Sequence, residues 1–313
     1  MDELREVTAA EPGELLGYDD PSAQPEATGV EKLVLKRGNL FLVANRVGDV
    51  WPPGVRDLGL FLTDTRHLSA WRLRVRGGPP VCLSSQVSAD YVAQIDFTVT
   101  SLHEGDLLGR EPVNYVHLRR DQIIDDVFVD RLVFTNFLDR DIDYWIEVDW
   151  AVDFADVFEL RGAHRARRGA YHAPELHDGH VALHYEGRDG RLYATEIRVE
   201  TAAAVDGTPR PARVARLDGR GARVELHLGR AQQVEVSFVV APGIARGDVE
   251  NPRHLDEERP VPHRCDAAFE RRAAETHEAY RSWSQATTRI RASNDLFEQA
   301  LSHATADLKA LTV

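Results

Sequence analysis

Apolar and polar positions alternate through most of this chain, and period-two alternation marks a strand with one buried and one wet face. The clearest case is Trp71-Arg72-Leu73-Arg74-Val75-Arg76. Just upstream, the apolar run Leu58 to Leu62 leads into a polar knot, Thr63-Asp64-Thr65-Arg66-His67. Leu33-Val34-Leu35 and Leu40-Phe41-Leu42-Val43 flank Lys36-Arg37-Gly38-Asn39, which predicts a hairpin. Runs rich in β-branched and aromatic residues follow at 91–100, 115–119, 127–135, 144–152, 181–185, 192–200, 222–228 and 234–240. Roughly a dozen strands with no helical period between them predict a mainly β chain, a large antiparallel β-sandwich rather than βαβ units.

The pattern changes after Pro242 and Gly243, which close the strand region, and residues 247–262 are polar with three prolines. Asp266 to Arg281 is rich in Ala, Glu and Arg, with Phe269, Ala273 and Tyr280 on one stripe, and predicts a helix. Ser293 and Asn294 offer N-cap oxygens, and Asp295 suits the positive first turn of a second helix. Its apolar residues, Leu296, Ala300, Leu301, Ala304, Leu308 and Leu311, recur at helical spacing. At the other end, residues 1–31 hold nine Asp and Glu against one Arg, with three prolines. Such a stretch buries too little apolar surface to offset its ordering entropy. The expected organisation is a disordered acidic tail over 1–31, a sandwich over 32–262, and C-terminal α-helices over 263–313.

Charge narrows the function classes. Fifty-one acids against 38 Lys and Arg give a net charge of −13. That argues against nucleic acid and against an anionic membrane surface as partners, while a neutral ligand such as a sugar is compatible. Cys82 and Cys265 lie far apart with no metal-ligand spacing, so two free thiols in a reducing, cytoplasmic setting are expected. No stretch has the pattern of a secretory signal or a membrane span. No dinucleotide, nucleotide or zinc-protease motif occurs, and no cofactor is expected.

The knot is the densest set of reactive groups. Asp64, Arg66 and His67, with Ser69, could be read as a hydrolytic set, but such triads are assembled in space rather than from neighbours in sequence. The expectation is that Asp64 and Arg66 pair and hold a loop against a neighbouring domain, and that Trp71 is core. His164, His172, His177, His180 and His184 cluster without a zinc spacing, so no metal site is assigned. In Asp139-Arg140-Asp141-Ile142-Asp143 the acids are expected to face water. Asp153, Asp156 and Glu159 beside Arg161 are expected to pair or cap, and Arg161, Arg165, Arg167 and Arg168 to form a solvated or acid-paired loop.

Four segments together resemble the amino-terminal domain of bacterial glycogen debranching enzyme-like proteins of the amylo-alpha-1,6-glucosidase type. They are GLFLTDTRHLS, RDQIIDDVFVDRLVFTNF, DFADVFELRG, and Trp283 with NDLFEQALSHATADLKAL. The resemblance implies a supersandwich-like β domain followed by a catalytic (α/α)6 barrel. It makes the last helix here the first of such a barrel and places the catalytic carboxylates beyond Val313. No catalytic residue is therefore assigned. Asp64, Arg66 and His67 become candidate binding residues on an interdomain or cleft-facing loop. The implied partners are the barrel, in cis or in trans, and an α-glucan oligosaccharide. A free-standing carbohydrate-binding module is the alternative.

Overall fold

A computed structural model describes residues 31–99, 115–165, 167–201, 212–247, 255–259, 268–288 and 293–312. The acidic stretch 1–30 lies outside them. In chain order the strands begin with β1 (Lys32–Arg37), β2 (Leu40–Asn45), β3 (Gly59–Leu62), β4 (Thr65–Leu68), β5 (Ala70–Val75), β6 (Val81–Ala89), β7 (Val92–Val99), β8 (Val116–Ile124) and β9 (Phe128–Asn136). They continue with β10 (Ile142–Ala151), β11 (Ala170–Tyr171), β12 (Glu175–His177), β13 (His180–Glu186), β14 (Arg191–Thr201), β15 (Ala212–Asp218), β16 (Gly221–Leu228), β17 (Gln233–Gly247) and β18 (Leu255–Arg259). Three helices accompany them: α1 (Val157–Leu160), α2 (Phe269–Ala286) and α3 (Asp295–Leu311). The chain is mainly β with C-terminal helices.

The strands form three antiparallel sheets, in the orders β1-β2-β3-β4, β15-β16-β10-β5 and β11-β13-β14-β17-β9-β8-β7-β6. The third sheet is the large one, with β12 added to β13 and β18 to β17. Alternation decides which face goes in. In the predicted hairpin, Leu35 lies opposite Leu42 and Leu33 opposite Ala44, and all four are buried. In β8 and β9 the even-numbered residues Leu118, Leu132 and Phe134 face the two small sheets, where one continuous apolar core collects. The odd-numbered Ile123 and Val129, with Val127 of the turn between the strands, face the other way, into a separate cluster with Tyr91, Val239, Ala241 and Phe269 of α2. Both faces of β8–β9 are thus covered, which is why β9 is buried at all positions but one.

Trp71 sits at the centre of the inner core, fully buried and stacked on Trp150 with ring centroids 5.7 Å apart. Phe128 and Phe238 of the large sheet meet it edge-on at 6.0 and 5.7 Å. Its indole N–H donates to Asp130 Oδ2 at 2.7 Å. Asp130 in turn accepts from Arg120 Nε and Nη2, at 2.9 and 2.7 Å. Arg120 also reaches across the sandwich to Asp49 Oδ1 at 2.6 Å and to the Val47 carbonyl at 2.8 Å. Burial alone would lower the Arg120 pKa, but Asp130 and Asp49 outweigh it and hold the guanidinium above its ordinary value. Burial pushes the Asp49 carboxyl up in spite of Arg120. The loop carrying Asp49 comes close because Gly48 (φ +78) has no side chain: a Cβ there would stand 2.6 Å from Gln122 Oε1.

Helix α2 lies on the outer face, and charged pairs fix it there. Arg272 donates to Asp125 at 2.6 Å, and Arg131 links Asp121 to Glu270 at 2.7 Å each. The stripe of Phe269, Ala273 and Tyr280 packs on the sheet as its spacing predicts. In α3, Asn294 caps the helix by accepting from the N–H groups of Leu296 and Phe297.

One expectation about the strand region is corrected. Pro242 and Gly243 do not close it, because β17 runs through them to Gly247. Past Val240 the strand has left β9 and is paired with β14, Pro242 lying opposite Thr195. A proline is tolerated where one side of the strand has no ladder to supply. The polar, proline-bearing stretch after it contributes β18, which pairs with β17.

Candidate functional site

The knot and the Asp153–Gly162 segment, about ninety residues apart in sequence, are adjacent in space. Thr65 and Asp156 form an isolated bridge between them. Arg66 N–H donates to the Ala155 carbonyl at 2.9 Å, and Val157 N–H donates to the Asp64 carbonyl at 3.0 Å. The tight β3–β4 turn that makes this possible places Thr63 in the left-handed region, φ 54, and the opposing loop places Phe154 there too, φ 44. For side chains of these types that conformation costs about 1–2 kcal/mol each, which the hydrogen bonds between the two segments offset.

Arg66 does not pair with Asp64. It pairs with Asp153, Nε to Oδ1 at 3.1 Å and Nη2 to Oδ2, a two-point contact in which both groups are buried. The remaining Nη1 donates to the Leu58 carbonyl at 3.2 Å and the Arg56 carbonyl at 3.3 Å. Its path crosses Gly59, where a Cβ would stand 2.6 Å from Arg66 Cδ. The strand geometry explains the change of partner. The turn separates Asp64 from Arg66, and sheet topology brings Asp153 beneath the guanidinium.

His67 is likewise buried. Its Nδ1 lies 3.0 Å from the Ala194 carbonyl and 3.2 Å from Thr195 Oγ1, while the Thr195 hydroxyl donates to the His67 carbonyl. The ring thereby pegs β4 to β14, edge-on to Phe154 at 5.4 Å. Of the three candidate residues, Asp64 alone reaches the open space above.

Asp156 caps α1 in a capping box. Its carboxylate accepts from the N–H groups of Phe158 and Glu159, and Glu159 accepts from Asp156 N–H. Arg165 closes on Asp156 from outside. Arg168 spans Glu159 at 3.1 Å, the Tyr171 hydroxyl at 2.9 Å and the Asp153 carbonyl at 2.5 Å. Burial raises the Glu159 carboxyl, with Arg168 opposing it, and burial raises the Tyr171 hydroxyl. The expected pairing and capping by Asp153, Asp156 and Glu159 is what the loop uses to keep its shape. Behind it, Phe154 stacks on Tyr185 at 5.6 Å and Tyr185 meets Tyr171 at 4.9 Å.

Above this floor lies a cleft of about 430 Å³, continuous in lining with a smaller one of about 240 Å³ through Thr65, Asp156, Arg165, Asp189 and Tyr193. Phe158 stands at its edge, 63% exposed. The far wall is the β13–β14 turn, where Asp189 accepts from Tyr193 Oη at 3.0 Å and from Arg191 N–H at 3.2 Å. Sequence reasoning missed Phe158, Asp189 and Tyr193. An Asp-Gly turn and an aromatic in a charged one-turn helix were the available signals.

The other candidates lie elsewhere. Asp139, Asp141 and Asp143 are exposed as expected, though His227 approaches Asp143 at 2.9 Å and Asp141 at 3.8 Å. His177 and His180 stack at 4.6 Å, and Glu175 and Glu186 stand beside His184 and His172. Among the described residues no group of three or more His, Cys, Asp or Glu is placed to hold a metal ion. Among the same residues no helix is long and apolar enough to cross a membrane.

The sequence profile of the N-terminal domain of (some) glycogen debranching enzymes matches residues 35–239, well over half of the chain and inclusive of both segments that build the cleft. The chain belongs to this family. No curated protein matches it. Among solved structures it is similar to a candidate kojibiose phosphorylase from the human microbiome, at 9% identity and a TM-score of 0.40, over 88% of this chain and 35% of that one. It is also similar to the Slr1438 protein of Synechocystis sp. PCC 6803, at 10% identity and a TM-score of 0.35, over 68% and 96%. A galactose mutarotase-like protein from Lactobacillus casei gives 6% identity and a TM-score of 0.33, over 68% and 100%. The chain therefore spans about a third of the phosphorylase, and none of these likenesses bears on chemistry.

Proposed function

We propose that this domain of the glycogen debranching family is a non-catalytic β-sandwich that carries and orients a catalytic (α/α)6 barrel, in cis or in trans. The observation that carries the reading is the outward face of α3. Leu296, Phe297, Leu308 and Leu311 are 76, 56, 58 and 61% exposed. Ala310, on the inward side, is buried, and its carbonyl accepts from Gly38 N–H at 3.0 Å. An apolar stripe of that length on a helix already docked by its other side is a surface for a further apolar partner.

The acids fit the same reading. Glycoside hydrolysis needs two carboxyl groups free to face a scissile bond. Asp153, Asp156 and Glu159 are each engaged in holding the loop, and Asp49, Asp121, Asp125 and Asp130 are engaged in holding the sandwich. An α-glucan substrate for the assembly follows from the family description alone.

The test is binding to a glycogen debranching enzyme's barrel produced separately. The chain should bind it saturably, and Leu296→Glu with Leu308→Glu should weaken binding at least about tenfold without lowering the melting temperature. No binding, or binding indifferent to the double change, overturns the reading.

A further inference from the structure

We propose that the outer face of the sheet formed by β5, β10 and β16 is a docking surface for an acidic peptide segment, and that its occupant is this chain's own residues 1–31. This does not rest on the docking of a barrel, which concerns α3, and either can fail without the other.

Three observations carry it. The first is a set of arginines held by rings rather than by carboxylates. Alternation sends Trp71, Leu73, Ile146, Val148 and Val224 into the core, so Arg72, Arg74, Trp145, Glu147 and Arg223 face outward. Arg74 takes two acids of β10, Glu147 at 3.0 Å and Asp149 at 2.7 Å. Arg72 lies instead over the Trp51 ring, 4.3 Å from its centroid, and Arg223 over the Trp145 ring at 4.9 Å. Arg76, just past β5, approaches Trp145 from the neighbouring strand at 5.7 Å. Among the described residues neither Arg72 nor Arg223 has a carboxylate partner. A guanidinium stacked on a ring keeps its in-plane N–H groups for a carboxylate that arrives from elsewhere. The second observation is where the acidic segment meets the fold. Lys32 opens β1 opposite Asn45, and Asn45 Nδ2 donates to the Trp51 carbonyl at 3.3 Å. Lys32 also pairs with Asp57, in the loop that carries Trp51. Residue 31 therefore joins the fold beside the Trp51–Arg72 pair. The third is charge and reach. Residues 1–31 hold nine Asp and Glu against one Arg, and the face offers them two arginines that no described acid takes. A flexible chain of this length has an end-to-end distance of about 30 Å, while the outward residues of β10 from Asp149 to Trp145 span about 14 Å. The segment covers the face without stretching, and its tether holds it at an effective concentration in the millimolar range. Exposed ion pairs that are weak singly then suffice to hold it.

The test is the rate at which chymotrypsin cuts the full chain after Tyr18, followed by mass spectrometry of the fragment that begins at Asp19. Arg72→Gln with Arg223→Gln should speed that cut about fivefold, the size expected when two exposed charge-assisted contacts are lost. Raising salt from about 0.05 M to about 0.5 M, which shortens the screening length roughly threefold, should do the same to the parent. A second variant leaves the folded region untouched: Glu3, Glu6, Glu11 and Glu26 are each replaced by Gln, and cutting should again speed up severalfold. Arg161→Gln with Arg167→Gln, on the exposed loop after α1, should leave the rate unchanged. Three results overturn the proposal: a rate indifferent to salt and to both the arginine and the glutamate substitutions, an equal acceleration by the Arg161 and Arg167 changes, or protection that falls on dilution, which would assign the contact to a second copy of the chain.

Discussion

Arg120 and Arg66 are both buried arginines gripped by aspartates, at opposite positions in the architecture. Arg120 lies between the layers of the sandwich, where Asp130 and Asp49 satisfy its guanidinium and Trp71 donates to the same Asp130. Nothing around it opens to solvent. Arg66 uses the same two-point contact, to Asp153, yet its buried pair ties together the two segments, the β3–β4 turn and the loop before α1, whose residues Thr65 and Asp156 line an open cleft. One ion pair fixes how two layers meet, and the other fixes the shape of a surface. The lesson is that a buried Arg–Asp pair says little by itself about function. What distinguishes the two is the neighbourhood: a stacked Trp71–Trp150 core in one case, and left-handed residues, a capping box and exposed Phe158 in the other.

The comparison can be broken by substitution. The largest effect is expected at Arg120, where replacement by Ala leaves Asp130 and Asp49 as uncompensated buried acids. Loss of one partner of a buried pair costs about 3–5 kcal/mol, so urea unfolding should show a fall of that size. A loss below about 1 kcal/mol would mean that Arg120 does not hold the layers together.

Gly59→Ala addresses the other arginine. A methyl there collides with Arg66 Cδ, and overpacking of this kind costs about 1–3 kcal/mol. Because the strain falls on Arg66 and its tie to Asp153, amide exchange should rise in residues 63–66 and 153–160 more than in β8 and β9. Uniform loss across both regions would show that the two arginines belong to one cooperative unit.

Asp156→Ala should have the smallest effect. It removes the cap of α1 and the partner of Arg165, at about 1 kcal/mol, and should loosen α1 while leaving the melting of the sandwich nearly unchanged.

Much of this was legible in the sequence. Strict alternation in residues 71–76 placed Trp71 in the core, and the hairpin at residues 33–43 and the two long helices follow from period and caps. The family could be read from four short segments in order. Partner choice was not legible. Arg66 was expected to take its neighbour Asp64, whereas its partner lies 87 residues away, brought there by the order of strands. Arg120 and Asp130 carry a hidden signal, two charged residues at inward-facing positions of neighbouring strands, which apolar periodicity alone passes over. Pro242 misled for a local reason, since a proline ends a strand only where both of its sides are paired.

The central claim is that the acids of this domain shape and support, and that hydrolysis belongs to the barrel. The most direct test is release of glucose from a branched maltooligosaccharide by the purified chain. The account predicts no turnover above background. Turnover that persists through purification and disappears when a single carboxylate, such as Asp64, Asp156 or Asp189, is replaced by its amide would contradict it.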